Sequence, residues 1–168
     1  LTGGFVERYH VPMFDPRTYS SRRSALLEGL ASRGIDTGTV ALLGNGESPM
    51  NYAANCYSFR QDSTFLYFVG IALPGLAATI DLASGTATLY GDEATLDDIV
   101  WTGPQPALAE LASRSGIARS RPRSALASDL AGKGGSLLYL PPYRADARAE
   151  LAELTGMPYA AVDGGASL

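Results

Sequence analysis

Two apolar runs, residues 76–82 and 86–90, are separated only by Ala83-Ser84-Gly85. That spacing commits the middle of the chain to an antiparallel hairpin, with Gly85 supplying the positive φ of a tight connection. The flanking segments carry a different period. Tyr19, Arg23, Leu26, Leu27 and Leu30 recur at helical spacing, so Leu26, Leu27 and Leu30 should face a core. Asp15-Pro16 opens that helix as N-cap and first helical residue, and Gly34 ends it. Residues 39–43 read as a short buried strand, followed by a flexible 44–49. Residues 106–115 read as a short helix with Leu108, Leu111 and Ala112 on one face, stopped by Gly116. A further helical segment is expected over 124–130 and a loop over 132–136. Residues 137–140 read as a strand closed by Pro141-Pro142. A last helix over 143–154 should turn Ala147, Leu151 and Leu154 inward. A hairpin set among alternating strands and helices predicts an α/β domain, a mixed sheet flanked by helices.

The length of 168 residues fits one domain with a real core. Residues 1–14 show no clear period and are expected to form an extended arm, with one domain over 15–168. Hydrophobic residues at 46% and charged residues at 18% exclude a disordered chain. A net charge of −4 argues against a nucleic-acid partner. No apolar run approaches the ~18 residues of a membrane span, and the start lacks the layout of a signal peptide. A single cysteine, Cys56, excludes an internal disulfide framework and suits a cytoplasmic location.

Several clusters suggest chemistry and weaken on inspection. Asp92, Glu93, Asp97 and Asp98 lack the spacing of a calcium loop, and read as carboxylates near a helix N-terminus. Gly44-x-Gly46 follows a strand, but Pro49 stands where a dinucleotide fingerprint needs its third glycine. Gly132-Lys133 departs from a phosphate loop at Ala127 and Gly134. Cys56 has only His10 as a possible base, and reads as a small buried thiol. His10 is the sole histidine, so it lacks the partners of a metal ligand. Arg114, Arg119, Arg121 and Arg123 read as a solvated face.

The stretch 57–70 is more informative. Phe65 to Val69 has the aromatic and β-branched composition of a buried strand, closed by Gly70. Arg60 cannot shed its charge, so burial there would require Asp62 or a ring of carbonyls beside it. The alternative is a substrate-recognition loop. The words Tyr57-x-Phe59-Arg60-Gln61-Asp62-Ser63-x-Phe65-x-Tyr67-Phe68-x-Gly70 resemble the signature in the N-terminal domain of Xaa-Pro aminopeptidases, in the group of prolidase and creatinase. Leu89-Tyr90-Gly91-Asp92 and then Asp98-Ile99-Val100-Trp101-Thr102-Gly103 match further, and the resemblance extends over roughly residues 17–154.

The resemblance implies a ribonuclease-H-like mixed sheet flanked by helices. It implies a non-catalytic domain that packs on a C-terminal catalytic domain, supports a homo-oligomer and narrows access to the active site. That catalytic domain, absent from this chain, would cleave Xaa-Pro bonds of proline-containing peptides with two divalent metal ions, often manganese. No metal site or cofactor is expected in this chain. Trp101 is the only tryptophan and is read as standing in a loop, either in the core or at an interface. In the family a tryptophan of the matching word reaches toward a neighbouring subunit's active site. Gly103-Pro104-Gln105 departs from the Gly-Arg-Arg that often follows there. The substrate or interface candidates are therefore Trp101, Arg60 and Asp62. The rival function is a free-standing binding or interaction module of the same fold.

Overall fold

The computed structural model describes residues 14–52, 55–131 and 136–164, without the side chains of residues 101, 102, 163 and 164. Most of the expected arm, His10 and the Gly132-Lys133 pair lie outside these residues. The first helix, α1 (Pro16–Ala31), starts as its sequence requires: the Asp15 side chain accepts from the Arg17 amide, with Pro16 at the first turn. Strand β1 (Thr39–Leu43) pairs antiparallel with β2 (Ala77–Asp81), and β2 pairs antiparallel with β3 (Ala87–Tyr90). The hairpin closes as expected. The Gly85 amide donates to the Asp81 carbonyl, and Gly85 has φ 67°.

Two parallel strands complete the sheet. β4 (Arg119–Arg121) lies beside β3, and β5 (Leu137–Leu138) lies beside β1, giving the order β4-β3-β2-β1-β5. The basic residues of β4 are solvent-facing, as their composition suggests, but they are carried on an edge strand. A short, charged edge resists pairing with other chains. Helices α4 (Leu108–Arg114), α5 (Ala125–Leu130) and α6 (Ala145–Thr155) fall where the apolar spacing places them.

The strand period of two divides the core. Val40, Leu42, Ala78, Ile80 and Leu89 face one side, where Leu30, Leu108, Leu111 and Ile117 pack against them. Ala41, Ala77, Tyr90 and Leu137 face the other, under Leu126, Leu130, Leu151 and Val162. The structure is thus a mixed sheet flanked by helices.

One expected strand is a helix. Residues 65–69 belong to α2 (Ser63–Phe68) and its C-cap, Val69. Asp62 is the N-cap, its Oδ1 accepting from the Phe65 amide at 2.9 Å. Phe65 and Val69, four apart, are fully buried, whereas Tyr67 is exposed. The run is therefore used at helical period, and packing outweighs its β-preference. Gly70 follows with φ 76°, and a Cβ there would lie 2.0 Å from the Tyr19 ring, so only glycine fits.

Candidate functional site

Because β1 and β5 are parallel neighbours, the segments that leave them emerge at the same end of the sheet. Residues 44–62 follow β1, and residues 139–144 follow β5. Segment 44–49 is not uniformly flexible. Gly44 and Asn45 are buried, and Gln61 (3% exposed) organises them. Gln61 Oε1 accepts from the Asn45 amide at 2.6 Å and from the Asp62 amide at 2.9 Å. Its Nε2 donates to the Leu73 carbonyl at 2.7 Å. One buried amide thus ties three separate segments, each of whose backbone groups would otherwise lack a partner. A Cβ on Gly44 would lie 2.9 Å from Gln61 Nε2 and 2.7 Å from the Leu76 carbonyl oxygen, so the clamp also demands that glycine.

The clamp displays Arg60. Asn45 Nδ2 donates to the Arg60 carbonyl at 2.8 Å, which fixes the backbone while the side chain is exposed. The expected burial of Arg60 against Asp62 is not found, because Asp62 caps α2 instead. The ring of carbonyls exists elsewhere. Arg23, 6% exposed, donates through Nη1 to the Phe68 carbonyl at 2.8 Å. Its Nη2 donates to the carbonyls of Ser115 at 3.0 Å and Gly116 at 2.8 Å. Burial lowers the pKa of Arg23 from its usual value, and the carbonyls at the ends of α2 and α4 hold the charge.

Two neighbouring hollows, with Arg144 in the wall of each, lie at this end of the sheet. A slot of about 360 Å³ runs between the start of α2 and the 139–144 segment, with Phe65, Leu140, Pro142, Tyr143 and Leu151 among its walls. A smaller hollow of about 230 Å³ is bounded by Tyr57, Ser58, Arg60 and Arg144. Arg144 lines both. It is engaged already: its Nε donates to Asp146 Oδ1 at 3.0 Å, and its Nη2 to Ser48 Oγ at 2.6 Å. The guanidinium hydrogen bond holds Asp146 below the usual carboxylate range. Sequence reasoning missed Tyr143 and Arg144. Their only signal was a Pro-Pro-Tyr-Arg word after an apolar run, which gains meaning once β5 is known to run parallel to β1.

A wider polar hollow of about 730 Å³ lies over the second face of the sheet, against Thr79, Thr88, Tyr90 and Arg119. Its Arg121 is paired with Asp129 at 2.5 Å, and Tyr90 donates to the same carboxylate at 2.8 Å. These pairs already engage Arg121, Asp129 and Tyr90 with one another.

Cys56 is half-buried, less than expected; it pairs with Pro49 in an isolated antiparallel bridge, next to the Tyr57 amide that donates to the Ser48 carbonyl. Its Sγ lies 3.7 Å from Glu47 Oε2. Partial desolvation and that carboxylate push the thiol up, away from a reactive thiolate. Two of the acidic residues, Glu93 and Asp98, serve helix starts. Glu93 accepts from the Leu108 amide at 3.0 Å, and Asp98 forms a capping box with Thr95 at the start of α3 (Leu96–Thr102). Among the described residues no group of three or more His, Cys, Asp and Glu side chains could hold a metal ion. No described helix is long and apolar enough to cross a membrane.

Trp101 stands in the last turn of α3, not in a loop, and its side chain lies outside the described set. The rest of that helix is informative: Leu96 is 82% exposed, Val100 78%, and Ile99 38%. Of the three candidates, Arg60 and Asp62 flank Gln61 at the sheet end, and Trp101 belongs to α3.

Residues 19–138 match the family model described as "Aminopeptidase P, N-terminal domain". The chain belongs to this family. It is 28% identical over 131 residues to the "Probable Xaa-Pro aminopeptidase" of Talaromyces stipitatus, covering 76% of this chain and 26% of that protein. Among solved structures it resembles an Escherichia coli aminopeptidase P variant in complex with substrate, with 19% identity and a TM-score of 0.69. The match covers 84% of this chain and 32% of that one. The same enzyme with the inhibitor Pro-Leu gives 18% identity and a TM-score of 0.68, over 83% of this chain and 32% of the other. The chain therefore spans about a quarter of the curated relative and about a third of the solved ones.

Proposed function

We propose that this chain is the accessory, non-catalytic N-terminal domain of a metal-dependent Xaa-Pro peptidase. The observation that carries the reading is the family match over residues 19–138, set within relatives roughly two and a half to three times as long. The parent protein would bind two divalent metal ions, often manganese, in a C-terminal catalytic domain, and act on proline-containing peptides. The described residues of this chain do not fit such a centre, and no metal chemistry is assigned to them. Its own part is to pack on the catalytic domain, support a homo-oligomer and restrict the entrance, in a cytoplasmic enzyme. The exposed apolar side of α3 supports the oligomer, because contiguous exposed apolar residues mark interaction surfaces. Trp101, on the same helix, is proposed to reach a neighbouring subunit's active site. The antiparallel β1–β3 unit with β5 added in parallel supports a ribonuclease-H-like assignment.

The test compares the 168-residue chain with the full product of its gene, each supplied with manganese and a peptide having proline second. Turnover is expected only from the longer product, and Trp101→Ala there should lower it. Metal-dependent turnover by this chain alone would overturn the reading. A gene that ends with this chain would instead favour the free-standing module.

A further inference from the structure

We infer that the end of the sheet beyond β1 and β5 binds the carboxyl-terminal end of a short peptide. The last side chain enters the apolar slot, and the carboxylate lies beside Arg60. This site is distinct from the proposed role of α3, and concerns only residues of this chain.

Position comes first. In open α/β sheets the crevice outside the carboxyl ends of the strands is where loops converge and ligands settle. Here two parallel neighbours create such a crevice, and the slot of about 360 Å³ is the size of a small-ligand pocket.

Charge then selects the ligand. Arg144, on the wall common to both hollows, is already engaged by Asp146 and Ser48. The Arg60 guanidinium has no side-chain partner among the described residues, yet its backbone is pinned by Asn45 and adjoins the Gln61 clamp. An exposed arginine alone means little. An unpaired one on a rigid support, beside an apolar slot, fits an amphipathic anion. Holding the backbone in place beforehand reduces the ordering cost of binding. Asp62, on the slot wall, repels a carboxylate placed there. The anion is thereby directed into the smaller hollow with Arg60, and the apolar part into the slot.

A peptide is favoured over a simple fatty acid by the slot's polar edge. Ser63 and Thr64 line it, and neither hydroxyl has a partner among the described residues. Such hydroxyls can meet the amide groups that a peptide carries and a fatty acid lacks.

The experiment titrates the 168-residue chain with N-acetyl-Ala-Ala-Leu, its C-terminal amide and 4-methylpentanoate, followed by amide chemical shifts. The free acid should bind saturably at millimolar concentration and shift Ser63, Thr64 and Tyr143. The amide should bind about tenfold more weakly, as loss of a charge-assisted hydrogen bond implies. Arg60→Gln should weaken the acid by a similar factor with an unchanged unfolding midpoint. Ala147→Leu, which partly fills the slot, should weaken acid and amide alike. Equal binding of acid and amide, or an unaffected R60Q variant, would overturn the site. 4-Methylpentanoate binding as well as the peptide would overturn the peptide assignment, and an absence of saturable shifts would overturn both.

Discussion

Arg23 and Arg60 show how far a residue's type falls short of its role. Arginine stays charged at either position, so the difference lies in what surrounds it. The helical spacing already puts Arg23 on the same face as Tyr19 and Leu30, and both are buried. What the chain does not display is its set of acceptors: the Phe68 carbonyl is 45 residues away and that of Ser115 is 92. Such a cage exists only after α1, α2 and α4 have packed. Arg23→Ala should therefore cost about 3 kcal/mol or more, because it leaves buried carbonyls without donors. Arg60→Ala should change stability by less than about 0.5 kcal/mol, as exposed substitutions usually do. Chemical denaturation of the two variants checks the ordering. Equal costs would mean that Arg23 is not held by its carbonyls in solution.

At the scale of elements, what could be read depended on which signals were local. The N-cap of α1, the hairpin turn at Gly85 and the inward face of α4 are each set within a few residues, and the structure matches them. The segment 65–69 went wrong because its composition favours a strand, while its fate was decided by Asp62 capping and by burial of Phe65 with Val69. The pairing of β4 and β5 was hidden for another reason: neither short strand has a local mark that it lies parallel to β3 or β1. Helix α3 offers a local test. The Thr95 hydroxyl and amide hydrogen bonds lower the pKa of Asp98 below the usual aspartate value. A lowered folded pKa means that the cap stabilises fully above the unfolded value of about 3.9 and is lost as pH falls through the lower folded value. An NMR titration should place Asp98 below an unstructured aspartate, and Thr95→Ala should bring it back toward the ordinary range. An Asp98 titration that ignores Thr95→Ala would show that the capping box does not persist.

At the scale of the molecule, the sheet sends its two apolar faces to two cores, while Leu96, Ile99 and Val100 project from α3 outside both. Leaving such side chains in water forgoes the favourable burial of apolar surface, so a covering partner would gain from seating them. The sequence named Trp101 as the informative residue of this helix. The neighbours that give it a surface became visible only when α3 proved to be a helix standing off the core. Val100→Glu tests that surface without touching the fold. The isolated chain should keep its unfolding midpoint, within about 0.5 kcal/mol, because Val100 contributes to neither core. In the proposed full-length enzyme the same substitution would place a carboxylate in the proposed subunit contact, where burying an unpaired charge is unfavourable. Sedimentation velocity should then show smaller species than the unsubstituted protein at equal concentration, and peptide turnover should fall with them. A V100E protein that keeps its assembly and its turnover would remove α3 from the subunit contact, and with it the proposed reach of Trp101.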